Sequence, residues 1–118
     1  MARAIETRMT ELRNKKCIPC EGGIPKLQGP VVQTLLKEIP GWELRGEKLY
    51  KQFRFKSFAK AIAFVNAMAD LAEAENHHPN FCVNFREVEV SIWTHAIDGL
   101  SENDFILAAK LDALPAAK

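Results

Sequence analysis

The stretch that decides the fold is residues 73–95, which read EAENHHPNFCVNFREVEVSIWTH. Upstream of Pro79, apolar residues recur at the spacing of one face of an α-helix. Downstream of Pro79 they alternate with polar residues, which is typical of a β-strand with one buried face. Proline also restricts the residue before it to extended backbone, so the helix is expected to end before the His-His-Pro motif. We therefore predict a helix-to-strand junction at this motif.

Two strands are predicted to follow the junction. Their expected inward faces are Phe81, Val83 and Phe85 in the first strand and Val88, Val90 and Ile92 in the second. The connection between them is short, which favours an antiparallel pair.

A long helix is predicted before the junction, from an N-cap at Ser57 through about Asn76. Its apolar residues fall within a third of the helical wheel and comprise Phe58, Ala61, Ile62, Val65, Met68, Ala69 and Ala72. Glu73 lies beside this arc and precedes His77 by four residues. One turn of helix would bring the Glu73 carboxylate to the His77 ring, so we expect the two to be in contact.

The rest of the chain supplies two more helices and a hairpin. Pro30 opens a helix whose apolar stripe comprises Val32, Leu35, Leu36 and Ile39. The hairpin that follows has a turn at Gly46-Glu47, with Trp42 and Leu44 on its first strand and Leu49, Phe53 and Phe55 on its second. Ser101 caps the last helix. Lys51 falls on the inward parity of the second hairpin strand, so the alternation there is imperfect. The order of elements predicts an α+β fold, a four-stranded antiparallel sheet with three helices packed on one face.

Residues 1–29 are predicted to form an N-terminal arm or loop, and residues 30–118 the folded domain. In the arm, Cys17 and Cys20 have the spacing of half a zinc site or of a redox pair. A structural zinc ion requires four ligands, and no second Cys-x-x-Cys follows. We favour a structural loop for this pair, with a metal or redox role as the alternative.

Composition excludes several classes of function. A net charge of +1 gives no reason to expect direct binding to nucleic acid. No apolar run approaches the ~20 residues that span a bilayer, so no membrane association is expected. The three cysteines are an odd number, which suits a reducing compartment, and we expect a cytoplasmic protein.

All three histidines of the chain, His77, His78 and His95, lie within the opening stretch. Histidine both donates and accepts protons near neutral pH, because its unperturbed pKa is about 6.5. Pro79 favours extended backbone at His78, so the adjacent histidines should not project side by side as ligands of one metal. His95 is expected to end a strand and close the other wall of a pocket. Acid–base catalysis, a structural role and metal binding remain open on the residues alone, whereas the phosphate-loop, dinucleotide, α/β-hydrolase and zincin motifs are absent.

The spacing of this cluster resembles that of the pterin-4a-carbinolamine dehydratases, also called dimerization cofactors of a hepatic homeodomain factor. Their pattern is an acid, three residues, His-His-Pro, five residues, an aromatic residue, nine residues, a histidine and then a further acid. Here these positions are Glu73, His77-His78-Pro79, Phe85, His95 and Asp104. The likeness extends from about Leu27 to Leu114, and the leader from Cys17 to Pro25 is similar to that of bacterial and plant members.

The resemblance implies a hydro-lyase that converts 4a-hydroxytetrahydropterin to quinonoid dihydropterin and water, in the recycling of tetrahydrobiopterin. It implies neither a metal nor an organic cofactor. His77 and His95 would form the proton-transfer pair, His78 would mainly bind substrate, and Glu73 would orient His77 or hold the pterin edge. The implied substrate-binding residues are Asn76, His77, His78, Pro79, Trp93, Thr94, His95, Ala96 and Asp104. Asp104 would act as a remote orienting acid or as a helix N-terminal charge, and Trp93 stands where the animal members have a small residue.

The resemblance also bears on partners. It implies a homodimer or homotetramer and a functional link to an aromatic amino acid hydroxylase. The alternative is a non-catalytic binding module or transcriptional coactivator that acts through its oligomer surface. The complete three-histidine pattern favours the enzyme, because a binding module has no physical need for it.

Overall fold

The computed structural model describes residues 12–17 and 26–117. In chain order its elements are α1 (Gly29–Leu36), β1 (Glu43–Leu44), β2 (Leu49–Arg54), α2 (Phe58–Glu75), β3 (Asn80–Asn84), β4 (Glu87–Ile92) and α3 (Glu102–Ala113), with short 3₁₀ helices at His95–Ile97 and Pro115–Ala117. This order confirms the predicted α+β fold, a four-stranded antiparallel sheet with helices. Within the described ranges, none of the helices has the length and apolar character needed to cross a membrane.

The N-terminal arm is described only in part. Leu12 and Cys17 are both buried. Cys20 and the rest of segment 18–25 lie outside the described residues. The predicted boundary between an arm at 1–29 and a domain at 30–118 stays a prediction.

The sheet has the strand order β1-β2-β4-β3, and every neighbouring pair is antiparallel. In the central pair, Leu49 lies opposite Ile92 and Phe53 lies opposite Val88. Directly opposed residues share one face of a sheet, so these four side chains form its inner face. All four are buried beneath α2 and α3, as is Val90 between them.

Lys51 explains the imperfect alternation of β2. Lys51 pairs with the buried Val90, so its side chain points to the inner face of the sheet and extends to α3. There Lys51 Nζ donates to Asp112 Oδ1 at 2.8 Å and lies 4.8 Å from the ring centroid of Phe53. Asp112 also accepts from Trp42 Nε1 at 3.0 Å. The lysine stem covers apolar surface while its charge is paired with α3.

The buried face of α2 differs from the predicted arc. Its buried residues are Ala61, Phe64, Met68, Ala72 and Glu75. Phe64, outside the predicted arc, is fully buried, whereas Phe58 is 52% exposed and Ala69 is exposed. The Phe64 ring packs on Phe53 and Phe55, with centroid distances of 4.6 and 5.2 Å. Burying this large ring against two aromatic residues of the β2 region outweighs the burial of Phe58 at the helix start.

The predicted inward face of β3 is only partly covered. Among the described residues, β3 is an edge strand whose pairing partner is β4, and the helices do not cover it fully. Phe81 is 48% exposed and Val83 is half-buried. Phe85 lies in the β3–β4 turn with φ 55° and is 68% exposed, so its prediction as an inward strand residue is wrong.

Candidate active site

The His-His-Pro motif begins with a turn that ends α2. Asn76 adopts left-handed backbone, with φ 52° and ψ 40°, a conformation that asparagine tolerates better than most residues. The Asn76 N–H donates to the carbonyls of Ala72 and Glu73, and the His77 N–H donates to Ala72 O at 3.2 Å. This is a Schellman-type helix end, which satisfies the last carbonyls and turns the chain sharply. The turn sends His77 inward and leaves His78 exposed.

His77 forms a buried pair with Asp104. The histidine is 6% exposed, the aspartate is fully buried, and His77 Nε2 lies 2.6 Å from Asp104 Oδ1. The other carboxylate oxygen, Oδ2, accepts from Thr94 Oγ1 at 2.9 Å and from Ser101 N at 2.8 Å. Because an ionised carboxylate offers only acceptors, Nε2 of His77 must supply the proton of this hydrogen bond. Asp104 therefore fixes the ring orientation and tautomer of His77.

Asp104 lies at the start of a helix and is also bonded to a histidine. It is the third residue of α3, where its side chain completes a capping box with Ser101. Thr94 Oγ1 also lies 2.7 Å from Ser101 Oγ, so the start of α3 and the end of the sheet share one hydrogen-bond network. The carboxylate that caps the start of α3 is therefore the one that is bonded to His77.

The predicted contact between Glu73 and His77 is wrong. Glu73 Oε2 instead lies 2.5 Å from His78 Nε2, with both side chains exposed. The reason is that α2 ends at Glu75, so His77 does not continue on the next helical turn. The Schellman turn brings the His78 ring into contact with Glu73 and the His77 ring into contact with Asp104.

His95 lies beyond the strand that was predicted to end at it. β4 stops at Ile92, and His95 is the first residue of the 3₁₀ helix His95–Ile97. Its exposed imidazole stacks on Trp93, with a centroid distance of 4.2 Å and an interplanar angle of 29°. Lys48 Nζ lies 4.1 Å from the centroid of the Trp93 ring. In the described part of the chain, this stack is the contact that holds the His95 ring.

The network around Asp104 joins the two histidine segments of the sequence. His77 bonds to one oxygen of Asp104 and Thr94 to the other. Thr94 directly precedes His95. The backbone of Thr94 pairs with that of Gly99, so these two residues flank the short helix at its two ends. The structure thus ties His77 and the His95 helix to one carboxylate. Asn76 contributes the turn, and Ala96 lies exposed in the 3₁₀ helix.

A groove adjoins the exposed side of the motif. Its volume is about 220 Å³, and it is lined by Met68, Ala69, Ala72, Glu73, His78, Pro79 and Phe81. The walls are largely apolar, and the Glu73–His78 pair supplies the polar groups. Met68 lies in the core as predicted and also borders the groove, whereas Ala69 and Phe81, which were predicted to face the core, are exposed beside it. The presence of the groove depends on β3 being an edge strand, which periodicity does not reveal.

The two adjacent histidines have separate surroundings. His77 turns to Asp104 in the interior, and His78 turns to Glu73 at the surface. Across residues 12–17 and 26–117, no three or more His, Cys, Asp and Glu side chains are grouped as metal ligands. The arrangement suits proton transfer and hydrogen bonding to a ligand.

Fold and site together define a small α+β protein with a buried His77–Asp104 pair and an apolar groove beside His78. The family model for pterin 4 alpha carbinolamine dehydratase matches residues 25–114. The chain belongs to this family, as its histidine spacing indicated.

Curated relatives agree with the family. A protein of Rubrobacter xylanophilus is 47% identical over 107 residues, which cover 90% of this chain and 100% of the relative. A protein of Dechloromonas aromatica is 50% identical over 103 residues, which cover 87% of this chain and 92% of the relative. Both carry the provisional name pterin-4-alpha-carbinolamine dehydratase.

Two solved structures are also similar. One is described as a transcriptional coactivator/pterin dehydratase from Brucella melitensis; it is 31% identical with a TM-score of 0.72, covering 75% of this chain and 97% of that one. The other is a pterin dehydratase-like protein identified as a RuBisCO assembly factor in the α-carboxysome. It is 33% identical with a TM-score of 0.54, covering 62% of this chain and 87% of that one.

Proposed function

We propose that this protein dehydrates a 4a-hydroxytetrahydropterin to the quinonoid dihydropterin by histidine acid–base catalysis. In this reaction the C4a hydroxyl takes up a proton and leaves as water, while a ring nitrogen gives up a proton. One acid and one base balance the step. The observation that carries the proposal is the buried His77–Asp104 hydrogen bond at 2.6 Å in a chain of this family.

His77 and His95 are proposed as the proton-transfer pair. Asp104 holds His77 in one tautomer, and low exposure makes that hydrogen bond stronger than it would be in water. His95 is exposed and held by Trp93, so it is accessible to a bound molecule. A general acid or base must lie within hydrogen-bond reach of the atom that it serves, so the proposal requires that a bound pterin brings its reacting atoms to both rings.

His78, Glu73 and the groove are proposed to bind the pterin. The His78–Glu73 pair offers donors and acceptors to the edge of a flat heterocycle. The exposed Phe81 ring and Pro79 supply apolar surface beside that pair. We include Asn76, Trp93, Thr94 and Ala96 among the binding residues because they flank the histidines in the two tied segments.

We further propose that the enzyme acts in the cytoplasm as a homodimer or homotetramer and recycles the cofactor spent by an aromatic amino acid hydroxylase. Support for self-association comes from β3, an edge strand with a half-exposed Phe81. Unpaired edges of this kind favour pairing with another chain. Size-exclusion chromatography with light scattering tests the assembly, and a monomer at assay concentration would contradict it.

A binding module is the second candidate function. The two solved relatives described as a coactivator/dehydratase and as a RuBisCO assembly factor make it relevant, and Phe58, Phe81 and Phe85 are exposed. A purely binding role predicts no dehydration by the wild-type protein. It also predicts that the histidine variants behave like wild type.

The test compares quinonoid dihydropterin formation by wild type, His77→Ala, His95→Ala and the control Lys60→Ala. Lys60 is exposed near the start of α2, so its loss should leave kcat unchanged. We expect each histidine variant to lose at least ~10²-fold in kcat, the lower end of general acid–base catalysis. Equal turnover in all four proteins would refute catalysis by these histidines.

A further inference from the structure

Residues 12–17 lie against the two helix ends that carry the buried pair. Leu12 is 3% exposed and belongs to the hydrophobic core, and Cys17 is 8% exposed. Lys16 Nζ donates to Ala74 O near the end of α2 at 3.4 Å, and Lys15 Nζ pairs with Glu102 at the start of α3 at 3.2 Å. We call residues 12–17 the strap.

Glu75 is the residue through which the strap grips α2. Its Oε1 accepts from the Cys17 N–H at 2.8 Å, and its Oε2 accepts from Lys110 Nζ at 2.8 Å. Burial raises the pKa of the Glu75 carboxyl, but the hydrogen bonds from Lys110 and from the Cys17 N–H lower it more, so its pKa lies below the ordinary value. A buried carboxylate is stable only with such partners, so strap and carboxylate depend on each other.

Cys17 also reaches the start of α3. Its Sγ lies 3.6 Å from Asn103 O, so the thiol donates to this carbonyl. Asn103 directly precedes Asp104, and Glu75 precedes His77 by two residues. One strap residue thus contacts the chain next to both members of the His77–Asp104 pair. The strap lies outside residues 25–114, which the family model matches.

We propose that the strap and Glu75 form a clamp that sets the separation of His77 and Asp104, with Glu75 as a positioning residue. Glu75 bonds to α3 through Lys110 and to the strap through Cys17, so it fixes the end of α2 from two sides. Its loss would free the Asn76 turn to shift, and His77 would move with it. The activity side of this inference rests on the proposed dehydratase function, whereas the geometry does not.

The test uses Glu75→Leu, the conservative Glu75→Gln and the control Val32→Ala in the full chain. Val32 is buried in α1, so its truncation should lower stability while Glu75 keeps its hydrogen bonds with the Cys17 N–H and Lys110. The first readout is the downfield imidazole N–H resonance of His77, which reports its hydrogen bond to Asp104 without any substrate. The second is kcat separately from KM.

We expect Glu75→Leu to broaden or shift the His77 resonance and to lower kcat about tenfold with little change in KM, because small misplacements of catalytic groups are costly. Glu75→Gln keeps an acceptor for the Cys17 N–H but turns its amide NH2 toward Lys110, so its resonance and kcat should lie between those of wild type and Glu75→Leu. Val32→Ala should leave both as in wild type. If Glu75→Leu gives the wild-type resonance, or if the wild type is active and Glu75→Leu matches Val32→Ala in kcat, the clamp is refuted. If wild type lacks dehydratase activity but Glu75→Leu still alters the resonance, the dehydratase proposal fails and the clamp stands.

Discussion

Replacement of Asp104 by asparagine should separate the role of the His77–Asp104 pair from the role of burial. The native carboxylate accepts three hydrogen bonds, from His77 Nε2, Thr94 Oγ1 and Ser101 N. The side-chain amide of asparagine has one carbonyl oxygen, which accepts, and one NH2 group, which donates. If the oxygen keeps the hydrogen bonds from Ser101 N and Thr94 Oγ1, the NH2 group faces His77 Nε2. Nε2 must then lose its proton, and the ring changes tautomer.

The expected magnitude follows from these three bonds. In Asp104→Asn each of the three hydrogen bonds either goes to a neutral acceptor in place of a charged one or reverses its direction, and each such change costs about 1 kcal/mol. Asp104→Asn should therefore lower the free energy of unfolding by about 3 kcal/mol. In the changed tautomer the proton lies on Nδ1, so His77 loses the lone pair with which that nitrogen could accept a proton, and kcat should fall ~10²–10⁴-fold, the contribution of a general acid or base. KM should change little, because the groove keeps its walls.

The assay pairs urea unfolding with steady-state dehydration kinetics. Asp112→Asn is the matched control, because it lies in the same helix and loses a charge-assisted bond to Lys51. We expect the control to lose about 2 kcal/mol of stability, about 1 kcal/mol for each of the bonds from Lys51 and Trp42, and to keep its kcat. An Asp104→Asn protein that remains folded with kcat within about twofold of wild type would refute the orienting role, since the general-acid contribution is ~10²-fold or more.

Three further outcomes are expected. Trp93→Ser should lower kcat several-fold and remove the ring-current shift of the His95 protons in NMR spectra, because the stack on Trp93 holds the His95 ring. Trp93→Phe keeps an aromatic ring and should keep the wild-type kcat and the shift. An unchanged His95 shift in Trp93→Ser would contradict this role of Trp93. Glu73→Ala should raise KM with kcat nearly unchanged, because Glu73 contacts His78 at the groove and not His77; a loss confined to kcat would point instead to contact with the proton-transfer pair. For pH, the folded-state pKa of Glu75 is lowered, so its stabilisation is present above the unfolded pKa and is lost as pH falls through the folded pKa. The stability difference between wild type and Glu75→Gln should therefore shrink on acidification in urea titrations, and a difference that grows would refute the linkage.

The sequence predicted the elements because their periodicities are local. Apolar alternation around Val88, Val90 and Ile92, and the Ser57 cap of α2, depend on neighbours within a few residues. Both features are present in the structure. The histidine spacing likewise located the candidate site, since it required no knowledge of packing.

The pairing within the site depended on tertiary structure. His77 and Asp104 are 27 residues apart, and no periodicity links them. The left-handed turn at Asn76 decides that His77 meets Asp104 while Glu73 meets His78. Helical spacing alone predicted the opposite, because it assumed that the helix continued.

Two other differences arise from position in the sheet. The pattern of β3 is that of a strand with one buried face, but an edge position leaves Phe81 half-exposed and opens the groove. In α2, the apolar arc predicted from spacing did not include Phe64. Its ring is buried because it packs on Phe53 and Phe55 of the β2 region. Both outcomes depend on neighbours that are distant in sequence.

The most direct measurement follows quinonoid dihydropterin formation from 4a-hydroxytetrahydropterin at increasing concentrations of the purified wild-type protein, against the uncatalysed rate in buffer. The proposed function predicts a rate that rises in proportion to protein concentration and saturates with substrate. A rate equal to the buffer background at every protein concentration would contradict it.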